Sequence, residues 1–275
     1  MHTSIPLLLA GVVCLTLAPD QAAAQDAKPL RALLITGGCC HDYAKQKDLL
    51  KAGLEARANV VVDQIYTAIP EGVSATKPPL PIYGNAHYAD GYDVVIHDEC
   101  AADINDPEIV KAVLAPHRAG IPGVNLHCAV HCYRIGNPAE AATAGSDRAL
   151  WFDYLGLQSS GHGAQLPISI TFTAPNNPIT KGMADWTTIN EELYNNVQVF
   201  PTATPLAHGK QTDKSYVVVW LNDYHGTRVF TTTIGHNNDT VNDPRYLDLV
   251  SRGLLWACGK LDEKGEIAPG YGPRK

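Results

Sequence analysis

Four apolar, β-branched runs mark the first half of the chain, and three of them end in a cluster of polar residues. Leu33-Leu34-Ile35 leads to Cys39-Cys40-His41-Asp42-Tyr43, Val94-Val95-Ile96 to His97-Asp98-Glu99-Cys100, and the stretch 121–127 to His127 and Cys128. A shorter run, 59–66, carries no such cluster. Between them the period lengthens. Leu49, Leu50, Gly53 and Leu54 recur at helical spacing within 45–57, and 105–120 reads as a second helix, with Asn105 or Asp106 placed to cap it and Pro107 suited to its first turn.

Near-continuous apolar strands alternating with amphipathic helices predict a mostly parallel, doubly wound α/β sheet with helices on both faces. In such sheets ligands bind beyond the carboxyl ends of the strands. The polar clusters are therefore expected to meet on one rim.

The second half turns to β, with strands expected at 166–173, 215–223 and 227–236, the last two joined as a hairpin by Asp223-Tyr224-His225-Gly226. A closing helix is expected at 244–259, with Gly259 at its end. The segment 70–91 has four prolines and no periodicity, and reads as a long surface excursion.

Composition adds boundaries. The run from Ile5 to Pro19 is too short to span a bilayer, and Ala22-Ala23-Ala24 supplies small residues for cleavage, so 1–24 reads as a signal peptide. The expected organisation is one domain over 25–262 and a loose Gly/Pro-rich tail over 263–275, in a periplasmic or secreted protein. Net charge is -7 without a block of Lys or Arg, which argues against a nucleic-acid partner, and no later segment is long and apolar enough for a membrane helix. Self-association is left open. Six cysteines follow the leader, in a setting that permits disulfides; a bridge between strand ends, Cys39 or Cys40 to Cys100 or Cys128, is expected ahead of Cys128 to Cys132.

The candidate chemistry is rich in histidine. In "VNLHCAVHCYR" (124–134) a strand runs into what reads as a helix, the arrangement by which α/β enzymes present a reactive group. The residue at that elbow is His127, with Cys128 next and His131 at i,i+4, a spacing that suits zinc on an α-helix. "TIGHNNDT" (233–240) presents His236 and Asn237 after a glycine, "NEELYNN" (190–196) brings Glu191, Glu192 and Tyr194, and "SSGHGAQ" (159–165) sets His162 in an expected flexible turn. Two or three histidines with a carboxylate make a frequent catalytic site for a divalent transition metal such as zinc. Glu191 and Glu192 read equally well as a solvated acidic pair.

Together with "LLITGGCCHDY", "YDVVIHDEC", "EELYNN" and "YLDLVSRGLLWACG", these motifs make the chain from about Arg31 to Gly259 resemble the ThuA-like (trehalose utilisation) family. The resemblance implies a flavodoxin-like, class I glutamine amidotransferase-like fold with an extra C-terminal β-hairpin, in which His127 stands where amidotransferases keep a cysteine nucleophile. It further implies a small-molecule carbohydrate substrate: a metal-assisted lyase or hydrolase that cleaves 3-keto-glycosides by removing the C2 proton and expelling the C1 substituent. On that basis His41, His127 and His236 are expected to hold the metal, His127, Glu192 and His236 to be catalytic, and Asp42, Tyr43, Glu99, His162, Tyr194 and Asn237 to face the sugar. The competing readings are a non-catalytic carbohydrate-binding protein and a cysteine hydrolase using Cys128.

Overall fold

The computed structural model describes residue 1 and residues 27–274, so the leader expected at 1–24, Met1 apart, lies outside the described residues. Nine strands form one mixed sheet in the order β2-β1-β3-β4-β9-β8-β7-β5-β6. Its parallel half comprises β1 (Leu30–Gly38), β2 (Val60–Thr67), β3 (Val94–Cys100), β4 (Gly123–Leu126) and β9 (Thr227–Thr232). With β9 as the fifth parallel strand, this is the flavodoxin-like order.

Side-chain alternation along each buried strand feeds two cores. Ala32, Leu34, Val94, Ile96 and Val124 pack with Leu50 and Leu54 of α1 (Tyr43–Glu55) and with Leu247, Val250 and Leu254 of α5 (Pro244–Ala257), which follows the short α4 (Asn238–Val241). Leu33, Ile35 and Val95 pack on the other face against Val110, Val113 and Leu114 of α2 (Pro107–Arg118) and Trp151 and Tyr154 of α3 (Leu150–Leu155). The sheet is therefore doubly wound, as expected. The Asp106 side chain accepts from the Glu108 N–H at the start of α2, and Asp243 accepts from the Arg245 N–H at the start of α5.

The antiparallel half is larger than its sequence pattern suggested. β8 (Lys214–Tyr224) and β9 form the expected hairpin, but β7 (Ala203–Gln211) and β6 (Trp186–Val199) had no clear strand signature. β5 runs from Leu157 to Phe172 and absorbs the segment expected to be a flexible loop around His162, which pairs with Tyr194 of β6. Repeated register shifts bend this long pair.

Other expectations need correction. After β4 the chain forms a single 3-10 turn, His127–His131, rather than an α-helix, so His127 and His131 do not share a helix face. Cys39 is joined to Cys40, not to Cys100 or Cys128. The stretch after Asp262, whose composition suggested a loose tail, is hydrogen-bonded to the fold: Asn59 receives a bond from Arg274 and donates to Gly270 and Tyr271. The excursion at 70–91 contains no helix or strand yet buries Leu80, Ile82 and Tyr88. No described helix is long and apolar enough to cross a membrane.

Candidate metal centre

Three parallel strands, β1, β4 and β9, each deliver one histidine just beyond their carboxyl ends: His41, His127 and His236. β6, from the antiparallel half, delivers Glu192. One ligating atom from each of these four residues lies within 4.8 Å of the others. His41 Nε2 is 3.0 Å from His236 Nδ1, His127 Nε2 is 3.4 Å from Glu192 Oε2, and His236 Nδ1 is 3.3 Å from Glu192 Oε1. Around an ion with ligands at ~2.0–2.1 Å, tetrahedral edges measure about 3.3–3.4 Å. The donor set therefore fits a four-coordinate transition metal in both spacing and chemistry.

Neighbouring groups aim these donors. His127 Nδ1 donates to the Thr233 carbonyl at 2.7 Å, which fixes the tautomer and leaves Nε2 with its lone pair toward the cluster. The positive φ of His127, 43°, is an unusual conformation for a residue other than glycine. His41 Nδ1 lies 3.0 Å from the Tyr43 hydroxyl. Gln165 brings its amide within 2.9 Å of His236 Nε2.

The two adjacent glutamates separate into different tasks because consecutive strand residues face opposite sides. Glu192 joins the histidines. Glu191 is wholly buried and accepts from the backbone N–H groups of His236 (3.0 Å), Asn237 (3.3 Å) and Gly235 (3.4 Å), so it builds the loop that carries His236. It is no solvated acid. At Gly235, φ is 130° and a Cβ would lie 2.8 Å from the Tyr246 hydroxyl, so the approach to His236 requires glycine.

The protonation states of these groups follow from burial and from their mutual proximity. Burial, then the proximity of His127 and His236, pushes His41 down to about 2, so its imidazole is neutral and able to ligate. For Glu192, burial acts upward, but the close imidazoles of His127 and His236 outweigh it and hold the carboxyl well below the usual range. Its hydrogen bond to Glu192, acting against burial, raises His236.

The remaining expected residues divide. Tyr43 is buried and positions His41; Tyr194 is buried with its hydroxyl 3.3 Å from His127 Nε2 and its ring stacked on His131 at 3.9 Å. His131 itself bonds Ser159, and burial holds it neutral. Asp42 is exposed and bonds Asn238, while Asn237 bonds the Asn190 carbonyl. Glu99 does not reach the rim: it is enclosed with His97 and Tyr133 beneath the sheet end, so its expected contact with sugar is withdrawn. Cys128 is enclosed too, and its hydrogen bond with Cys100, reinforced by burial, holds the thiol neutral, which suits packing better than nucleophilic attack. His162 is the histidine left open to solvent, its side chain 40% exposed and its Nε2 3.5 Å from Glu192 Oε2.

The sequence model of a family described as ThuA, trehalose utilisation, matches residues 55–257. The chain belongs to the ThuA family. Among solved structures, a ThuA-like protein from Parabacteroides merdae is 20% identical with a TM-score of 0.61, over 90% of this chain and 98% of its own. A ThuA-like protein from Bacteroides uniformis is 14% identical, again with a TM-score of 0.61, over 91% of this chain and 98% of its own. A β-galactosidase from Rahnella sp. R3 is 13% identical with a TM-score of 0.50, over 84% of this chain and 31% of its own. These likenesses show a shared fold. No curated protein matches the chain. The family match begins inside α1, so it leaves Cys39-Cys40-His41 outside it.

Proposed function

We propose that this ThuA-family protein is an exported sugar-catabolic enzyme that cleaves 3-keto-glycosides by proton removal at C2 and elimination at C1. The observation that carries the reading is the convergence of His41, His127, His236 and Glu192 within 4.8 Å at the carboxyl end of the sheet. These residues would hold a divalent transition metal such as zinc. When bound, such an ion polarises a ketone oxygen, which lowers the barrier to forming the enolate.

The chain supplies the proton acceptor. His162 Nδ1 donates to the Gly163 carbonyl at 2.9 Å, leaving the lone pair on Nε2. Once Nε2 takes the C2 proton, the imidazolium stands beside the Glu192 carboxylate, which stabilises the charge it has gained. Expulsion of the C1 oxygen substituent, which leaves as the alcohol by taking a proton from solvent, makes a C1=C2 double bond conjugated to the C3 ketone, and water adds across it, with its OH at C1 and a proton at C2. Glu192 itself is a poor base because its proton affinity is so low, so the role anticipated for it passes to metal holding. Asp42 and Asn237 stand nearer the solvent edge, where sugar hydroxyls would approach. The test is incubation with a 3-keto-glucoside in D2O. Deuterium at C2 and release of the aglycone support the reading, with both lost in His162→Ala; cleavage without C2 exchange would replace it by direct hydrolysis.

A further inference from the structure

A second cluster of ligating atoms stands beside the histidines and is made of sulfur alone. Cys39 and Cys40 follow β1 and Cys100 ends β3, and these neighbouring strands run in parallel register with Gly38 opposite Cys100. A Cβ on Gly38 would lie 2.2 Å from the Cys100 carbonyl oxygen, so glycine permits the close approach. Cys39 Sγ is 3.3 Å from Cys100 Sγ, and the three sulfurs lie within 4.8 Å of one another. With metal–sulfur bonds of ~2.3 Å, ligand edges would be about 3.8–4.0 Å, so the bond that joins Cys39 to Cys40 must open and the sulfurs spread before an ion fits.

We propose that Cys39, Cys40 and Cys100 are a second metal site, for a soft monovalent cation such as Cu(I), which the Cys39–Cys40 disulfide closes. Three thiolates without nitrogen or oxygen suit Cu(I), whereas zinc in an all-thiolate site takes four; the fourth sulfur nearby, Cys128, is enclosed behind Cys100 and keeps its proton. The histidine centre has the opposite, harder character, so one rim separates two ions by ligand softness. Tyr43 and Cys128 wall the sulfurs with apolar surface, while Cys40 is exposed and gives entry from solvent. A dithiol reductant opens the site: its two sulfurs become a disulfide as the Cys39–Cys40 bond takes up two electrons and two protons. Binding Cu(I) then displaces the thiol protons to solvent.

Full-length protein reduced with a dithiol and desalted without oxygen is titrated with Cu(I) against a chromophoric Cu(I) chelator. The expected result is one tightly held Cu(I) per chain in the reduced form, and affinity lower by at least ~100-fold in the oxidised form, in Cys40→Ser and in Cys100→Ser. X-ray absorption should show sulfur neighbours alone. His236→Ala should keep this site, which separates it from the histidine centre. Cys40 is exposed, so Cys40→Ser tests the claim in a folded protein even if Cys100→Ser fails to fold. Equal Cu(I) binding by oxidised protein or by Cys40→Ser, nitrogen or oxygen in the first shell, or failure of the reduced protein to compete with the chelator would overturn the proposal.

Discussion

Replacing Glu191 by Gln separates a structural carboxylate from the functional one beside it. Glu191 is wholly buried, and its two oxygens serve three consecutive backbone donors at Gly235, His236 and Asn237. Hydrogen bonds to a charged group contribute about 1.5–3 kcal/mol each, and these three share one carboxylate and differ in length. Glutamine keeps one oxygen and turns an NH2 toward donors that cannot accept it. Breaking a buried charge interaction on one side costs about 3–5 kcal/mol, which is the expected loss. In a domain of this size each kcal/mol moves the midpoint by about 2–4 °C, so metal-free Glu191→Gln should melt roughly 10 °C below the parent. Differential scanning calorimetry measures it, with amide exchange at 235–237 as the local readout. A shift within ~2 °C, with unchanged protection at these three amides, would refute the claim that Glu191 builds the His236 loop.

Glu192→Gln, one residue on, should weaken zinc binding by more than ~100-fold, since even outer-shell changes cost 10–100-fold; competition with a fluorescent chelator measures it. His117 is held neutral at about 3 by burial, then by His97, so its folded value lies below the unfolded ~6.5. Its contribution is complete above pH 6.5 and is lost as pH falls toward 3: about 2–3 kcal/mol is gone by pH 4.5, and His117→Gln should show a correspondingly shallower fall in urea stability between pH 7 and 4.5 than the parent. Gly253→Ala should lose about 1–3 kcal/mol in urea denaturation despite better helix propensity, because its Cβ would meet the buried Phe230 ring at 2.5 Å.

The parallel half was legible because its strands are buried on both faces and its helices carry a clear period. β6 and β7 were not. Glu191 and Glu192 interrupt the alternation of β6 just where it bends over the rim, and Pro205 and Gly209 depress the strand signal of β7. Burial of a polar residue by its partners is a tertiary event that local pattern does not encode. His41, His127 and His236 were readable from their place after apolar runs, since the rule of strand ends locates them without a partner in view. Glu99 obeyed the same rule and failed it, because at β3 the alternation turns its side chain into a closed pocket with His97 and Tyr133. Glu191 gave no signal at all: its partners are backbone amides 44 to 46 positions away. The helix-based zinc spacing of His127 with His131 failed because the turn is 3-10, where i and i+3 rather than i and i+4 share a face.

The four-residue centre is tested most directly by the metal it holds. Oxidised full-length protein is equilibrated with Zn(II), desalted, and its metal content measured by mass spectrometry beside His127→Ala and Glu192→Gln. One zinc per chain in the parent and none in either variant is the expected result; a parent that retains no zinc, or variants that retain as much as the parent, would contradict it.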